Sequence, residues 1–168
     1  MSVVPDEPPH SPNTGEAPRI RFLAVRIAAR TLNGRSRAEV DLRRVDGRVV
    51  TGRGEADPSV YGDQRAAALA CVEALGQCGG AGHRFELLGV KNVRAFDQTI
   101  VLLQLGAATG RGYLRLVGCA VGDDDLVAAT VRAVLNASNR VLWLPLATGG
   151  PDPVAEVLAA PENVPAGG

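Results

Sequence analysis

From 20 to 31 (IRFLAVRIAART) and from 37 to 45 (RAEVDLRRV), apolar and charged residues alternate. That period of two marks half-buried strands. Asp46-Gly47 follows, a two-residue hairpin signal, because glycine accepts the positive φ that a type I′ turn requires. The stretch 48–57 (RVVTGRGEAD) then returns as a third strand. Here the period changes. Ala66, Leu69, Ala70, Val72 and Leu75 recur at helical spacing. Asp63 stands where a cap belongs and Gly79-Gly80 where the helix must stop, which predicts a helix over 62–79.

The same order then recurs. Three strands are predicted over 84–94 (RFELLGVKNVR), 98–107 (QTIVLLQLGA) and 111–120 (RGYLRLVGCA), with Thr109-Gly110 turning between the last two. Asp123, Asp124 and Asp125 open a second helix, predicted over 123–142, where free N–H groups and the dipole favour carboxylates. Its apolar face is Leu126, Val127, Thr130, Val131, Val134 and Leu135. Asp46-Gly47-Arg48 matches Thr109-Gly110-Arg111 at a shift of 63, and Glu73-Ala74-Leu75 matches Ala133-Val134-Leu135 at 60. The fold class expected is therefore α+β: two βββα repeats related by a pseudo-twofold, antiparallel sheet layers with helices on one face.

Composition narrows the function. Lys+Arg (18) equals Asp+Glu (18), so net charge is zero, which argues against binding by phosphate neutralisation. No apolar run reaches the ~18–20 residues of a membrane span. Residues 1–18 hold five prolines and three acids without Lys or Arg and read as a tail rather than a secretory signal. Residues 147–168, rich in Gly, Pro and acids, read as a second tail, which leaves 19–146 as one domain. The three cysteines, Cys71, Cys78 and Cys119, are odd in number and lack CxxC spacing. A disulfide framework or structural zinc is not expected, and a reducing cytoplasm is the expected compartment. With only His10 and His83 in the chain, no metal, no cofactor and no autonomous catalysis are expected.

Several features carry two readings. The Asp123–Asp125 run fits a cation or amine site, or simply a helix N-terminus. The glycine-rich stretches 52–57 and 106–113 lack the G-x-G-x-x-G and Gly-Lys-Ser/Thr patterns of phosphate loops and read as hairpins. Ten arginines between 19 and 53, against Glu39, Asp41 and Asp46, read as a solvated sheet face or a surface for an acidic partner. Cys71 and Cys78 share a helix face as small core residues. Trp143 is either core or an exposed anchor for a partner.

The βββα–βββα core, 19–146, resembles the C-terminal regulatory domain of α-isopropylmalate and citramalate synthases, its second half most of all. The likeness is carried by Gly118-Cys119-Ala120-Val121-Gly122, Asp125-Leu126-Val127, Ala129-Thr130, Ala133 and Asn139-Arg140, with Asp97-Gln98 ahead of TIVLLQL. The first half departs from the family: Gly52-Arg53-Gly54-Glu55-Ala56-Asp57-Pro58 replaces its Gly-x-Gly-Pro-Val-Asp-Ala loop. The resemblance implies a non-catalytic regulatory and dimerisation module, a homodimer, and a barrel-type synthase as partner, since 168 residues cannot hold the ~250-residue barrel as well. It also implies an amino-acid or hydroxy-acid effector where 118–125 and 54–63 meet at the helix starts. The expected ligand residues are Gly118, Gly122, Asp125, Ala129, Thr130, Gly54 and Asp63. A purely structural scaffold is the alternative. Residues 63–140 also run α-β-β-β-α, the order of a double-stranded-RNA-binding domain, but a helix opening with aspartates is wrong for phosphates. Neither nucleic acid nor membrane is expected as a partner.

Overall fold

The computed structural model describes residues 20–28, 31–78, 84–109, 112–122, 124–139 and 141–142. Both tails, His10, His83, Asp123, Arg140 and Trp143 lie outside the described residues. The element order is β1 (Arg21–Ala28), β2 (Ser36–Arg43), β3 (Val49–Ala56), α1 (Gly62–Cys78), β4 (Arg84–Ala95), β5 (Gln98–Thr109), β6 (Gly112–Val121) and α2 (Leu126–Ser138). Strands β1-β2-β3 form one antiparallel sheet, here sheet A, and β4-β5-β6 a second, sheet B. The chain is an α+β fold of two βββα units, as its patterning predicts.

Each helix lies on one face of its own sheet, α1 on β2 and β3, and α2 on β5 and β6. The helices also touch each other, and each reaches the first strand of the other unit: α1 meets β4 and α2 meets β1. This exchange of equivalent contacts is what a pseudo-twofold between the units produces. Two side-chain contacts carry it. Gln64 on α1 bonds Asn92 on β4, and the Arg132 guanidinium on α2 lies 5.9 Å from the centre of the Phe22 ring on β1, within cation–π range.

Small residues let the layers close. Ala66, Ala67, Ala68, Ala70, Cys71 and Ala74 of α1 are buried, because α1 has the sheet on one side and α2 on another. The strand beneath must then be equally thin. A Cβ on Gly52 would stand 2.0 Å from the Ala70 carbonyl oxygen and 2.5 Å from the Ala74 nitrogen. On Gly118 it would stand 2.0 Å from the Ala133 carbonyl oxygen and 2.9 Å from the Ala137 nitrogen. Both units thus seat a helix backbone directly on a glycine of their last strand. Ala133 and Ala137 follow Ala70 and Ala74 by 63 positions, the sequence offset of Gly47 and Gly110 rather than the 60 read from the helix sequences.

The boundaries differ from the sequence reading in ways with local causes. Among the described residues β1 pairs with β2 as far as Ala28, opposite Arg37, and a register shift between Phe22 and Ala24 puts Leu23 outside the simple alternation. α1 already includes Gly62, so Asp63 lies within the first turn instead of capping it. α2 starts at Leu126, not at 123, because the extended backbone of Asp125 makes that residue the cap. It ends at Ser138, short of 142, with Asn139 as its C-cap. The β4–β5 turn, Phe96-Asp97, has φ of 53° and 61°, a left-handed pair built without glycine.

Candidate functional site

The two helix starts meet through a buried polar cluster. Gln64, 5% exposed, donates through Nε2 to Asn92 Oδ1 at 2.9 Å and to Thr130 Oγ1 at 3.0 Å. Asn92 Nδ2 returns a bond to Gln64 Oε1 at 3.0 Å, and the Thr130 hydroxyl donates to the Leu126 carbonyl at 2.7 Å. Amides and hydroxyls of this kind cost stability when buried unless partnered. Here each is partnered by its own chain, so the junction of the helix starts is filled.

The expected ligand residues fall around this junction as follows. Asp125 Oδ1 accepts from Val127 N and Ala128 N, both at 2.9 Å, which is N-cap geometry. Thr130 and Ala129 are fully buried in the core. Gly118 faces the α2 backbone, and a Cβ on Gly54 would meet the Ala66 carbonyl oxygen at 2.2 Å. Gly122 packs beneath Leu126 and Ala129 and donates its N–H to the Thr99 carbonyl at 2.8 Å. Asp63 Oδ1 accepts from the Ser36 hydroxyl at 2.5 Å, tying α1 to the start of β2. The structure therefore brings Gln64 and Thr130 together at the helix starts, and joins Asp63 to Ser36 and Asp125 to its own helix.

An open cleft lies beside the start of α1. It encloses about 470 Å³ and is lined by Arg35, Glu55, Asp57, Ser59, Tyr61 and Arg65, with Ala56 and Leu69 as its apolar part. Arg35 holds Glu55 Oε1 at 3.1 Å and Asp57 Oδ1 at 3.0 Å, while its own Nε is buried without a hydrogen-bond partner. Arg65 has no acidic partner among the described residues. The lining thus offers a guanidinium, two hydroxyls and an outward carboxylate on Asp57, which is 86% exposed. A small molecule with both an acid and an amine or hydroxyl finds matching groups there. Of these residues, sequence reading singled out only the 54–63 segment. Arg35 joins it because Ser36 pairs with Ala56 across the sheet, a register no linear motif announces.

Thiol chemistry is absent from the core. Burial, and then the neighbouring Cys78, push the Cys71 thiol far above its ordinary pKa, so its thiolate is not populated. Burial also raises Cys78. Among the described residues no three His, Cys, Asp or Glu side chains gather into a metal-binding group, and no helix is long and apolar enough to cross a membrane. No protein-family model and no curated protein matches the chain.

Proposed function

We propose that the chain is a non-catalytic regulatory and pairing module, like the regulatory domain of α-isopropylmalate synthases, which takes a small amino or hydroxy acid and acts on a barrel-type partner enzyme. The observation that carries this reading is the cleft at the start of α1. It occupies the first of the two loops where the resemblance implies an effector, and it sets Arg65, which has no acidic partner among the described residues, beside Tyr61, Ser59 and Asp57. In the proposed complex the ligand carboxylate meets Arg65, and its amine or hydroxyl meets Asp57.

A ligand that binds only the folded state stabilises it by RT ln(1 + [L]/Kd), about 2.7 kcal/mol at one hundred times Kd. A thermal-shift screen of amino and hydroxy acids at millimolar concentration should find a binder, and Arg65→Ala should remove the shift. A screen in which no such acid moves the melting temperature defeats the effector reading.

A purely structural pairing scaffold is the second reading. It is favoured by the occupied helix-start junction: Asp125 caps its own helix, and Thr130 is bonded to Gln64 and Leu126. Under it the same screen is silent while the chain still pairs.

A further inference from the structure

Cross-strand partners share a sheet face, so the register of each sheet shows what its outer face presents. In sheet A the outward pairs are Arg37 with Glu55, Glu39 with Arg53 and Asp41 with Thr51, a water-facing surface. The corresponding face of sheet B runs along Ile100, Leu102 and Gln104 of β5. Val121, Cys119 and Val117 of β6 lie on one side of them. Val93, Lys91 and Gly89 of β4 lie on the other. Val117 and Val121 are 57% and 47% exposed, and Cys119 is exposed. The fold does not require an apolar outer face, since its own first repeat does without one. From Ile100 to Gln104 this face is mainly apolar, with Lys91 its charged member, and at the level of Gly106 it ends in Glu86 and Arg115. An apolar stretch of this kind in a chain otherwise patterned for water marks a contact surface.

We infer that this outer face of sheet B is where a second copy of the chain docks, sheet against sheet. The inference rests on the pairing half of the function proposed above and not on its effector half. Three observations choose the occupant. Strands of 10 and 12 residues at ~3.3 Å per residue and ~4.8 Å spacing give roughly 500 Å² of footprint per copy. That is about 1,000 Å² for the pair, the scale at which specific interfaces begin. Two charges of the face also match across a twofold. Lys91 pairs with Leu102 and Glu86 with Gly106, two positions either side of Gln104. A twofold crossing the strands at Gln104 therefore sets Lys91 over Glu86 of the partner subunit. Finally, the missing side chain of Gly89 leaves a depression of about 270 Å³ beside Gln104 and Val117, at the level of that twofold, where an opposing side chain can enter.

Cys119 reports on the face directly, because Cys71 is buried and Cys78 only half-buried. The wild-type chain should scatter light as a particle of twice 17.4 kDa, and Cys119 should react with a thiol reagent several-fold more slowly as protein concentration rises. Val117→Lys/Val121→Lys places two like charges in the contact and should weaken pairing by about a hundredfold or more. Cys119 should then react at one rate at every concentration, while circular dichroism keeps the wild-type spectrum. A wild-type monomer at high micromolar concentration overturns the inference together with the pairing reading. A dimer that survives the double substitution, or in which Cys119 keeps its monomer rate, overturns the surface alone. Should the double variant fail to fold, concentration-dependent protection of wild-type Cys119 decides the matter.

Discussion

The two βββα units share a scaffold and differ in what they turn outward. In both, a helix sits backbone-to-backbone on a glycine of the last strand, Gly52 under Ala70 and Gly118 under Ala133. On the opposite face they part. Sheet A carries the ladder Arg26–Asp41, Arg53–Glu39 and Arg37–Glu55, at 2.7, 2.9 and 2.8 Å. Sheet B carries Leu102, Val117, Cys119 and Val121 and, among the described residues, no ion pair. The inner faces are constrained by the same packing and so remain alike. The outer faces answer to whatever lies beyond the fold, and their divergence is where functional information accumulates.

If the glycine seats are equivalent, they should fail equally. Gly52→Ala and Gly118→Ala each force a methyl within 2.0 Å of a helix carbonyl oxygen. Relief requires the helix to lift, at a cost of about 3 kcal/mol or more, at the upper end of overpacking penalties. Gly89→Ala, with nothing within 4 Å of its Cβ position, should change stability by under about 0.5 kcal/mol. Urea midpoints of the three variants test this, and a large cost at only one of the two seats would break the equivalence.

The junction between the units comes next in size. Gln64→Leu leaves Asn92 and the Thr130 hydroxyl short of a partner and should cost about 1–3 kcal/mol. Replacing Gln64 and Asn92 together by leucine should recover most of the loss, because no unpaired amide remains. A double-mutant cycle by chemical denaturation reads the coupling. Asp125→Ala removes an N-cap from the second unit and should cost about 1 kcal/mol. If it also abolished an amino-acid thermal shift that Arg65→Ala left intact, the effector would belong to the second helix start and not to the cleft by the first.

Much of this was legible in the chain because the inner faces obey local rules. Alternation in 37–45, the Asp46-Gly47 turn and the helical spacing of Ala66, Ala70 and Leu75 each report a period that packing enforces. What escaped depends on contacts distant in sequence. Gln64 and Asn92 are 28 residues apart and become a pair only once α1 crosses to β4. Of the glycines expected to contact a ligand, Gly54 and Gly118 lie against helix backbone and Gly122 against side chains of the core. The sequence signature of a glycine that admits a ligand is the same as that of one that admits a helix. The Arg35–Arg65 cleft escaped for the same reason as the amide pair, since β2 register brings Arg35 to the α1 start. The apolar character of the sheet B face was present in 98–107 and 111–120. Alternation alone does not say which of two apolar faces a core will cover.

The smallest effect separates the outer faces by acid and salt. The Arg26 guanidinium and then the Thr51 hydroxyl hold the Asp41 carboxyl below its ordinary range. Arg53 and Arg26 do the same for Glu39. A carboxyl whose pKa is lower folded than unfolded stabilises the fold above its unfolded value, near 4, and loses that contribution as pH falls through the folded value. Stability should therefore decline below about pH 4 through sheet A. The decline should shrink in molar salt, since Arg26 is 53% and Arg53 79% exposed and such pairs are screened. Asp41→Asn should flatten part of the decline and lower neutral-pH stability by the same small amount, its stability at low pH staying close to wild type. Sheet B, without ladder carboxylates between its strands, should contribute no such slope, and its pairing should persist in molar salt because apolar burial outlasts screening. Measuring unfolding and particle mass together across pH and salt then separates the faces. Loss of stability without loss of pairing assigns the charged ladder to solvent and the apolar face to the partner.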